Sequence, residues 1–370
     1  MKVDRQQVLA YRVAAQQLDR SAKSIRGLRV LDIGVQDAGG EQARLAFDAR
    51  LGGTPSADVF GPSKTLALVW SLRGAPYVHR RADLDSLTGA LYPLSEADAM
   101  QRINETGPSV QRAGIAALEQ YELTVAAMRA AVSKPIAKGA VSTAVTKAVP
   151  APMRRACRAC KTSHISESAM RATFLAAGLE LEPGTSPPVM QRRTGSKRVS
   201  GPDMKALAAL CRAYLTLLGP ATPSHVAGYL EARRADVEQA WPDDLAAVSV
   251  DGAERWLPAK QVRVLEKAKT PDVVRLLGGF DPFLQARDRD LIVPDKAVHK
   301  ALWPVLGRPG AVFVHGEVVG TWRPNSAGKK LAVLVREFVP LPKPVCTEVE
   351  TEADRVAAVR GLELAAVKWE

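Results

Sequence analysis

The chain has few cysteines, few aromatic residues and no long apolar run. Four cysteines in 370 residues are too few for the disulfide framework of a small secreted protein. No stretch reaches the roughly 18 uninterrupted apolar residues of a membrane span, and the N-terminal segment is too charged for a signal peptide. These absences predict a reduced, cytoplasmic protein that has no membrane partner.

Aromatic residues make up only 5% of the chain, whereas hydrophobic residues make up 46%. The hydrophobic cores must therefore be built from alanine, leucine and valine. Because alanine has the highest intrinsic helix propensity, this composition favours helices. A chain of this length is expected to form two or three domains.

Acidic residues are also under-represented. The 51 lysines and arginines exceed the 39 aspartates and glutamates, and the resulting net charge is +12. This balance favours a polyanionic partner, with nucleic acid first and an anionic membrane surface second.

The positive charge is concentrated between residues 138 and 198, which contain eleven basic and three acidic residues. Most charge runs are solvated helix faces, which is the simpler interpretation. The uniform sign and the position of the clusters at helix ends and in a turn favour phosphate contacts. The predicted DNA-binding residues in this segment are Lys138, Lys147, Arg154, Arg155, Arg192, Arg193, Lys197 and Arg198.

The most informative stretch reads LRVLDIGVQDAGGEQARLAFDARL, from Leu28 to Leu51. An apolar run leads into the polar pair Gln36-Asp37 and a Gly39-Gly40 turn, and the following spacing predicts a helix over 41–51. After a loop over 52–64, the apolar residues of 65–72 predict another helix, which is followed by a basic strand over 75–81. A polar pair at the end of a buried run, beside such a strand, is where DNA chemistry could take place.

Two or three helices followed by a hairpin occur three times along the chain. Helices are predicted near 5–19, 83–90, 95–104, 109–132, 138–149, 165–177, 203–218, 222–233 and 234–241. Hairpins are predicted near 75–81, over 180–199 with its tip at 195–197, and over 247–257 around an Asp-Gly turn. We interpret these patterns as three tandem winged-helix units over 1–93, 94–200 and 201–270.

The C-terminal part is strand-like. Residues 271–345 predict a small antiparallel β-barrel or sheet of four or five strands, and residues 346–370 predict a helix over 351–367. The predicted fold class is therefore mainly α with β.

Several motifs together resemble the winged-helix DNA-binding family that contains the AlkZ-like DNA glycosylases. They are GVQDAGGEQARLAFDARL, LVWSLRGAPYVHRRADL, LLGP, RLLGGFDPFLQARDR and GEVVGTWRP, in the family's order. The resemblance implies three winged helices closed by a β-barrel, and excision of alkylated or cross-linked bases from duplex DNA. It implies no cofactor, and we expect a monomer associated with the nucleoid.

The family's catalytic motif is a triplet in which one polar residue lies on each side of an apolar residue. The aligned triplet here is Gly34-Val35-Gln36, followed by Asp37, so glycine replaces the first polar residue. The resemblance assigns catalysis to Gln36 and Asp37, with Gly34 in support. Two alternatives stay open, since Gln36 suits a buried amide and Asp37 suits a cap of the 41–51 helix, which we favour.

Other candidates lie near the predicted hairpin and the start of the barrel. Arg73, His79, Arg80 and Arg81 are candidates for phosphate contacts, although Tyr77 suits the core and arginines are commonly solvated. Asp281, Arg287 and Arg289 match a family motif and are assigned a supporting role; an Asp–Arg pair that holds the barrel in place explains them equally well.

Cys157 and Cys160, with His164, have the spacing of one zinc knuckle. A structural zinc site needs four ligands, and the sequence contains no second paired motif, so we predict no metal.

Two functional classes follow. The first is a base-excision enzyme for alkylated DNA, and the second is a DNA-binding or regulatory protein of the same build without catalysis, which Gly34 favours. A nuclease is less favoured because no carboxylate cluster of the two-metal type is present.

Overall fold

Helices and short strands alternate along the chain in this computed structural model, which describes residues 1–53, 59–60, 65–103 and 108–370. The predicted loop over 52–64 lies largely outside the described residues. The helices are α1 (Arg5–Ala15), α2 (Gln42–Asp48), α3 (Leu84–Ala90), α4 (Glu96–Ile103), α5 (Pro108–Arg112), α6 (Ala117–Ala131), α7 (Lys138–Ala148), α8 (Glu167–Ala172), α9 (Met204–Leu218), α10 (Pro223–Leu230), α11 (Arg234–Gln239), α12 (Val262–Glu266), α13 (Arg289–Ile292), α14 (His299–Leu302) and α15 (Lys343–Arg360).

The strands are mostly short. They are β1 (Lys2–Val3), β2 (Val35–Gln36), β3 (Leu66–Trp70), β4 (Pro76–Arg80), β5 (Ile136–Ala137), β6 (Arg155–Cys157), β7 (Thr162–His164), β8 (Leu179–Leu181), β9 (Val189–Arg192), β10 (Leu245–Val250), β11 (Ala253–Pro258), β12 (Val274–Leu277), β13 (Gly310–Val314), β14 (Glu317–Ala327), β15 (Lys330–Glu337) and β16 (Glu363–Trp369). The predicted mixture of α and β structure is confirmed.

The chain divides into two units. Unit 1 comprises residues 1–59, 212–225 and 243–370, and unit 2 comprises residues 60–211 and 226–242. Two of the four divisions, at 211/212 and at 225/226, fall inside α9 and α10. The five consecutive segments expected from the sequence remain a prediction.

In unit 1, β1, β10 and β11 form a three-stranded sheet in which β1 runs parallel to β10. The hairpin of β10 and β11 turns at Asp251 and Gly252, whose φ angles are +47° and +88°. Positive φ at both central residues is typical of the tight turn that an Asp-Gly pair favours, so the predicted hairpin is confirmed.

The second sheet of unit 1 has the order β12-β13-β14-β15-β16 and forms a half-barrel. Helix α15 packs against it through Val349, Ala353 and Val356, which are buried and lie on one face of the helix. Trp322 on β14 belongs to the same core, and its indole N–H donates to the Leu277 carbonyl at 2.8 Å.

The C-terminal segment differs from the predicted helix over 351–367. Helix α15 begins at Lys343 and ends at Arg360, and Gly361 then takes a φ of +69°. Glycine commonly ends a helix in this way because it has no Cβ to strain a left-handed conformation. The residues that follow form β16, which pairs in parallel with β15, so the sheet is not purely antiparallel.

In unit 2, strands follow one another in the order β4-β3-β8-β9-β5. The prediction of a helix over 65–72 was wrong, since Leu66–Trp70 forms β3 and pairs with β4 from Leu66–Arg80 to Trp70–Pro76. A short apolar run does not distinguish a strand from a buried helix by periodicity. Strand β3 also pairs with β8 at Leu68–Leu181, so the two hairpins share one sheet.

Two further elements differ from their predicted boundaries. The second hairpin turns between Leu181 and Val189, around Gly184 with a φ of +73°, and not at 195–197. The helix predicted over 109–132 is broken at Gly114, which has a φ of +68° and separates α5 from α6. Both turns fall at glycines whose left-handed backbone the sequence pattern did not reveal.

Candidate functional site

In unit 1, the segment that carries the predicted catalytic pair is held by its apolar neighbours. Val30, Leu31, Ile33 and Val35 are fully buried. Gly34 has a φ of +76°, and this left-handed conformation reverses the chain before β2. The segment delivers Gln36 to a half-buried position at the end of β2.

Asp37 is buried and caps α2. Its Oδ1 accepts a hydrogen bond from the Ala43 backbone N–H at 3.0 Å, which satisfies a donor in the first turn of the helix. Burial raises the pKa of Asp37, while hydrogen bonds from the Ala43 and Gln42 backbones partly oppose that rise. The capping role favoured from the sequence is therefore present.

Asp281 forms a buried ion pair with Arg50, which follows α2. The two guanidinium nitrogens of Arg50 donate to the two carboxylate oxygens at 2.8 and 2.9 Å, and both side chains are 0% exposed. Arg50 also donates to the Gln16 side chain at 3.0 Å. The sequence offered two roles for Asp281, and the structure contains the second, an Asp–Arg pair that supports the fold.

A second buried carboxylate, Asp288, was not predicted. It accepts two hydrogen bonds from Arg12 at 3.1 and 2.7 Å and a further short one from Arg255. Arg12 and Arg255 lower the pKa of Asp288 against the opposing effect of burial. Sequence spacing could not reveal this cluster because its members are more than 30 residues apart.

The neighbouring candidates Arg287 and Arg289 have different surroundings. The Arg287 backbone N–H donates to the Tyr214 hydroxyl at 3.3 Å. The Arg289 guanidinium lies 4.9 Å from the centre of the Trp303 ring, and burial lowers its pKa. Arg287 and Arg289 therefore both contact aromatic residues of unit 1.

In unit 2, the hairpin residues predicted to contact phosphates are engaged with protein groups. Arg73 donates to the Tyr229 carbonyl at 2.7 Å and to the Tyr77 hydroxyl at 2.5 Å. Arg81 pairs with Glu180 at 2.5 Å, and Arg80 lies 3.5 Å from Asp83.

His79 is buried, and its Nε2 lies 3.0 Å from the Ser71 hydroxyl. Desolvation lowers the pKa of His79 to about 3, so the ring is neutral at physiological pH. A buried neutral imidazole offers no charge to a phosphate, so the position of His79 argues against the predicted phosphate contact. Tyr77 is also buried, as its alternative assignment to the core required.

The basic residues of 138–198 fall into two groups, and the first supports the fold. Lys138 pairs with Glu167 at 2.7 Å. Arg192 donates to the Val132 and Arg129 carbonyls, each at 2.7 Å, at the end of α6. Arg193 is 5% exposed and pairs with Asp85 at 2.7 Å, so its burial argues against a direct DNA contact.

The second group is exposed to solvent. Its predicted members are Lys147, Arg154, Arg155, Lys197 and Arg198, and Arg158 and Lys161 share this exposure. Several lie on or beside the hairpin of β6 and β7. In the described ranges, no helix combines the length and the apolar character that crossing a bilayer requires.

Unit 2 also contains a pocket of about 380 Å³ that the sequence did not reveal. Among its lining residues are Trp70, Arg73, Arg102 and Arg171. The Arg171 guanidinium lies 4.8 Å from the centre of the Trp70 ring and donates to the Glu167 carboxylate at 2.8 Å. The cationic and aromatic groups of this pocket are thus engaged with one another and with Glu167.

The hairpin of β6 and β7 brings Cys157, Cys160 and His164 together, with their ligand atoms within 4.8 Å of one another. A hydrogen bond from the Cys160 backbone is the main cause that lowers the pKa of Cys157 to about 7. The sequence contained this motif, but spacing alone did not show that the three side chains meet.

Clustered, solvent-exposed cations are typical of nucleic-acid-binding proteins. The chain belongs to the AlkZ-like DNA glycosylase family, whose model matches residues 25–359. The resemblance to AlkZ-like DNA glycosylases stated from the sequence is thereby confirmed, whereas the winged-helix units remain a prediction.

The fold is also that of a solved structure. The DNA glycosylase AlkZ of Streptomyces sahachiroi superposes with a TM-score of 0.77 and 20% sequence identity, and the match covers 100% of both chains. Comparison with curated proteins found no match.

Proposed function

We propose that this protein is a DNA-repair glycosylase that hydrolyses the N-glycosidic bond of an alkylated or cross-linked base in duplex DNA. Membership of the AlkZ-like family over residues 25–359 carries this proposal. The exposed cations of unit 2 supply the phosphate contacts, since neutralising phosphates dominates the affinity of proteins for duplex DNA.

Gln36 is the residue we assign to catalysis. Asp37 is buried, whereas Gln36 is half-buried, so a substrate reaches the carboxamide of Gln36 more readily than the carboxylate of Asp37. Asp37 then acts as a positioning residue that fixes the backbone beside Gln36.

The chemistry suits a carboxamide. An N7-alkylated purine already carries a positive charge and leaves without strong acid catalysis. The enzyme must therefore hold a water molecule and stabilise the developing sugar cation. A carboxamide orients water through its carbonyl oxygen and amide hydrogens, although it is a weak base.

The test is release of N7-methylguanine from methylated duplex DNA. We expect the wild-type protein to release the base and Gln36→Ala to lose most of that activity. Asp37→Asn keeps an acceptor for the Ala43 N–H and is expected to retain the fold and most activity. Salt-sensitive binding to duplex DNA without base release would contradict the proposal.

One observation favours the alternative, a DNA-binding protein without catalysis. Gly34 stands where the family motif has its first polar residue, and its backbone has a φ of +76°. Asparagine tolerates this conformation better than most residues. Gly34→Asn therefore adds an amide with less backbone strain than most other substitutions would cause, and a gain of base release in this variant from an inactive wild type would identify the alternative as correct.

The architecture that we infer for this function is three winged-helix units before the half-barrel. Helices precede the hairpins β3–β4, β8–β9 and β10–β11 in the chain, which is the element order of such units. We further propose that the protein acts as a monomer on duplex DNA in the cytoplasm, with no cofactor in the glycosylase reaction.

A further inference from the structure

The hairpin of β6 and β7 buries few apolar side chains. Its strands are three residues long and pair only with each other among the described residues. Arg155, Ala156, Thr162 and Ser163 are exposed. An isolated two-stranded hairpin is marginally stable in water, so another interaction must fix this one.

The register of the hairpin places two of the three candidate ligands on one face. Arg155 pairs with His164 and Cys157 pairs with Thr162, and residues two apart on a strand share a face. Cys157 and His164 are therefore diagonal neighbours. Cys160 lies in the connecting loop, where Lys161 turns the chain with a φ of +52°.

The spacing of the ligand atoms fits a tetrahedral metal ion. Zinc binds sulfur at about 2.3 Å and nitrogen at about 2.0 Å, so ligand atoms around it lie roughly 3.3–3.8 Å apart. The three side chains already hold their ligand atoms within 4.8 Å of one another. Side-chain adjustments of at most about 1–1.5 Å, the difference from that tetrahedral spacing, complete the contacts.

The histidine ring is oriented as a metal ligand. His164 Nδ1 lies 2.6 Å from the Ile165 carbonyl oxygen, and because a carbonyl only accepts, Nδ1 carries the proton. The ligand lone pair is then on Nε2. Metal-binding histidines commonly donate their other ring N–H to a carbonyl in this way, which fixes both the tautomer and the orientation.

We propose that Cys157, Cys160 and His164 bind a zinc ion, with water in the fourth position. In the described part of the chain, no further histidine, cysteine or carboxylate joins this group, and Cys160 is exposed. The spacing argument that excluded a metal required four protein ligands. The observed geometry supplies three ligands and an outward-facing position that water can occupy.

The ion would stabilise a basic hairpin. Binding of zinc contributes folding free energy where the apo segment is poorly ordered. Arg154, Arg155, Arg158 and Lys161 surround the cluster and are exposed. The metal thereby fixes the backbone that presents these cations, and this role does not depend on glycosylase activity.

The test is the metal content of the full-length protein after incubation with Zn²⁺ and removal of unbound ion under reducing conditions. We expect one zinc per wild-type chain, and loss of that zinc in Cys157→Ser and in Cys160→Ser. Cys346→Ser is the matched control, because Cys346 is a free, half-buried thiol on α15, and it is expected to keep the ion.

Cobalt supplies a second measurement. Wild-type protein loaded with Co²⁺ should show the visible bands of tetrahedral cobalt and a thiolate charge-transfer band, both absent in Cys160→Ser. Far-UV circular dichroism verifies that each variant is folded. A wild-type protein that binds no stoichiometric zinc, a Cys160→Ser variant that keeps it, or a Cys157–Cys160 disulfide in the reduced preparation would each overturn the proposal.

Discussion

Arg50 and Asp281 lie 231 positions apart in the chain and form a fully buried, two-point ion pair. The pair joins the end of α2 to the segment that follows β12. It therefore fixes the helix whose first turn is capped by Asp37, next to Gln36. The geometry of the proposed catalytic segment depends on this contact.

Removing the carboxylate of this pair should strongly destabilise the protein. Asp281→Ala leaves the Arg50 charge buried without its partner, a change that typically costs about 3–5 kcal/mol. Urea unfolding of the full-length protein measures this loss of stability. Asp290→Ala, at a carboxylate that is 67% exposed, is the control and should change stability little. A loss below about 1 kcal/mol for Asp281→Ala, the value typical of an exposed ion pair, would contradict this account.

The cap of α2 predicts a difference between two substitutions at one position. Asp37→Ala removes the acceptor for the Ala43 N–H and should cost about 1 kcal/mol, whereas Asp37→Asn keeps an acceptor and should cost less. Thermal unfolding of both variants measures this difference. Equal destabilisation by alanine and asparagine would show that the carboxylate charge matters more than the cap.

His79 predicts a particular dependence of stability on pH. Its pKa is lowered to about 3 in the folded protein by desolvation, against about 6.5 when unfolded. The unfolded state therefore binds the extra proton between these values, and stability falls as pH decreases below about 6.5, by up to roughly 1.4 kcal/mol per pH unit.

His79→Gln removes this titration and keeps a polar partner for Ser71. We expect a shallower decline of unfolding free energy between pH 6.5 and 4 than in the wild type. His315→Gln, at a ring that is 40% exposed, is the control and should leave the decline unchanged. A wild-type slope retained in His79→Gln would exclude His79 as its source.

The two groups of basic residues predict two different phenotypes. Lys147 and Arg198 are exposed, so Lys147→Ala and Arg198→Ala should preserve stability. For each phosphate contact that is lost, the slope of log affinity against log salt should become shallower by about 1. Duplex binding measured at several salt concentrations tests this expectation.

Arg193→Ala should behave differently, because its guanidinium is buried and pairs with Asp85. We expect a loss of stability on the order of 2 kcal/mol and an unchanged salt slope in the folded protein. An altered slope with unchanged stability would instead assign Arg193 to DNA contact.

Local patterns in the sequence were sufficient to predict several structural elements. The Asp251-Gly252 pair predicted its hairpin because both residues tolerate positive φ. The apolar spacing of 203–218 and 138–149 predicted α9 and α7 to within a residue or two. The position of Asp37 before a helix predicted a cap.

Short apolar runs and the positions of glycines were not sufficient to predict the other elements. The run at 66–70 formed β3 because it lies between β4, its hairpin partner, and β8, which is distant in sequence. Helix α15 ended at Gly361 because the next residues pair with β15. Such pairings depend on neighbours that local periodicity does not contain.

The sequence by itself determined the basic character of the protein, most of its helices and its membership of a glycosylase family, because composition, periodicity and motifs are local properties of the chain. Only the tertiary structure decided which charged residues are buried in pairs, such as Arg50 with Asp281, and which face solvent. It also decided that Cys157, Cys160 and His164 meet on one hairpin. Burial and proximity arise when distant segments pack together, and a linear pattern contains neither.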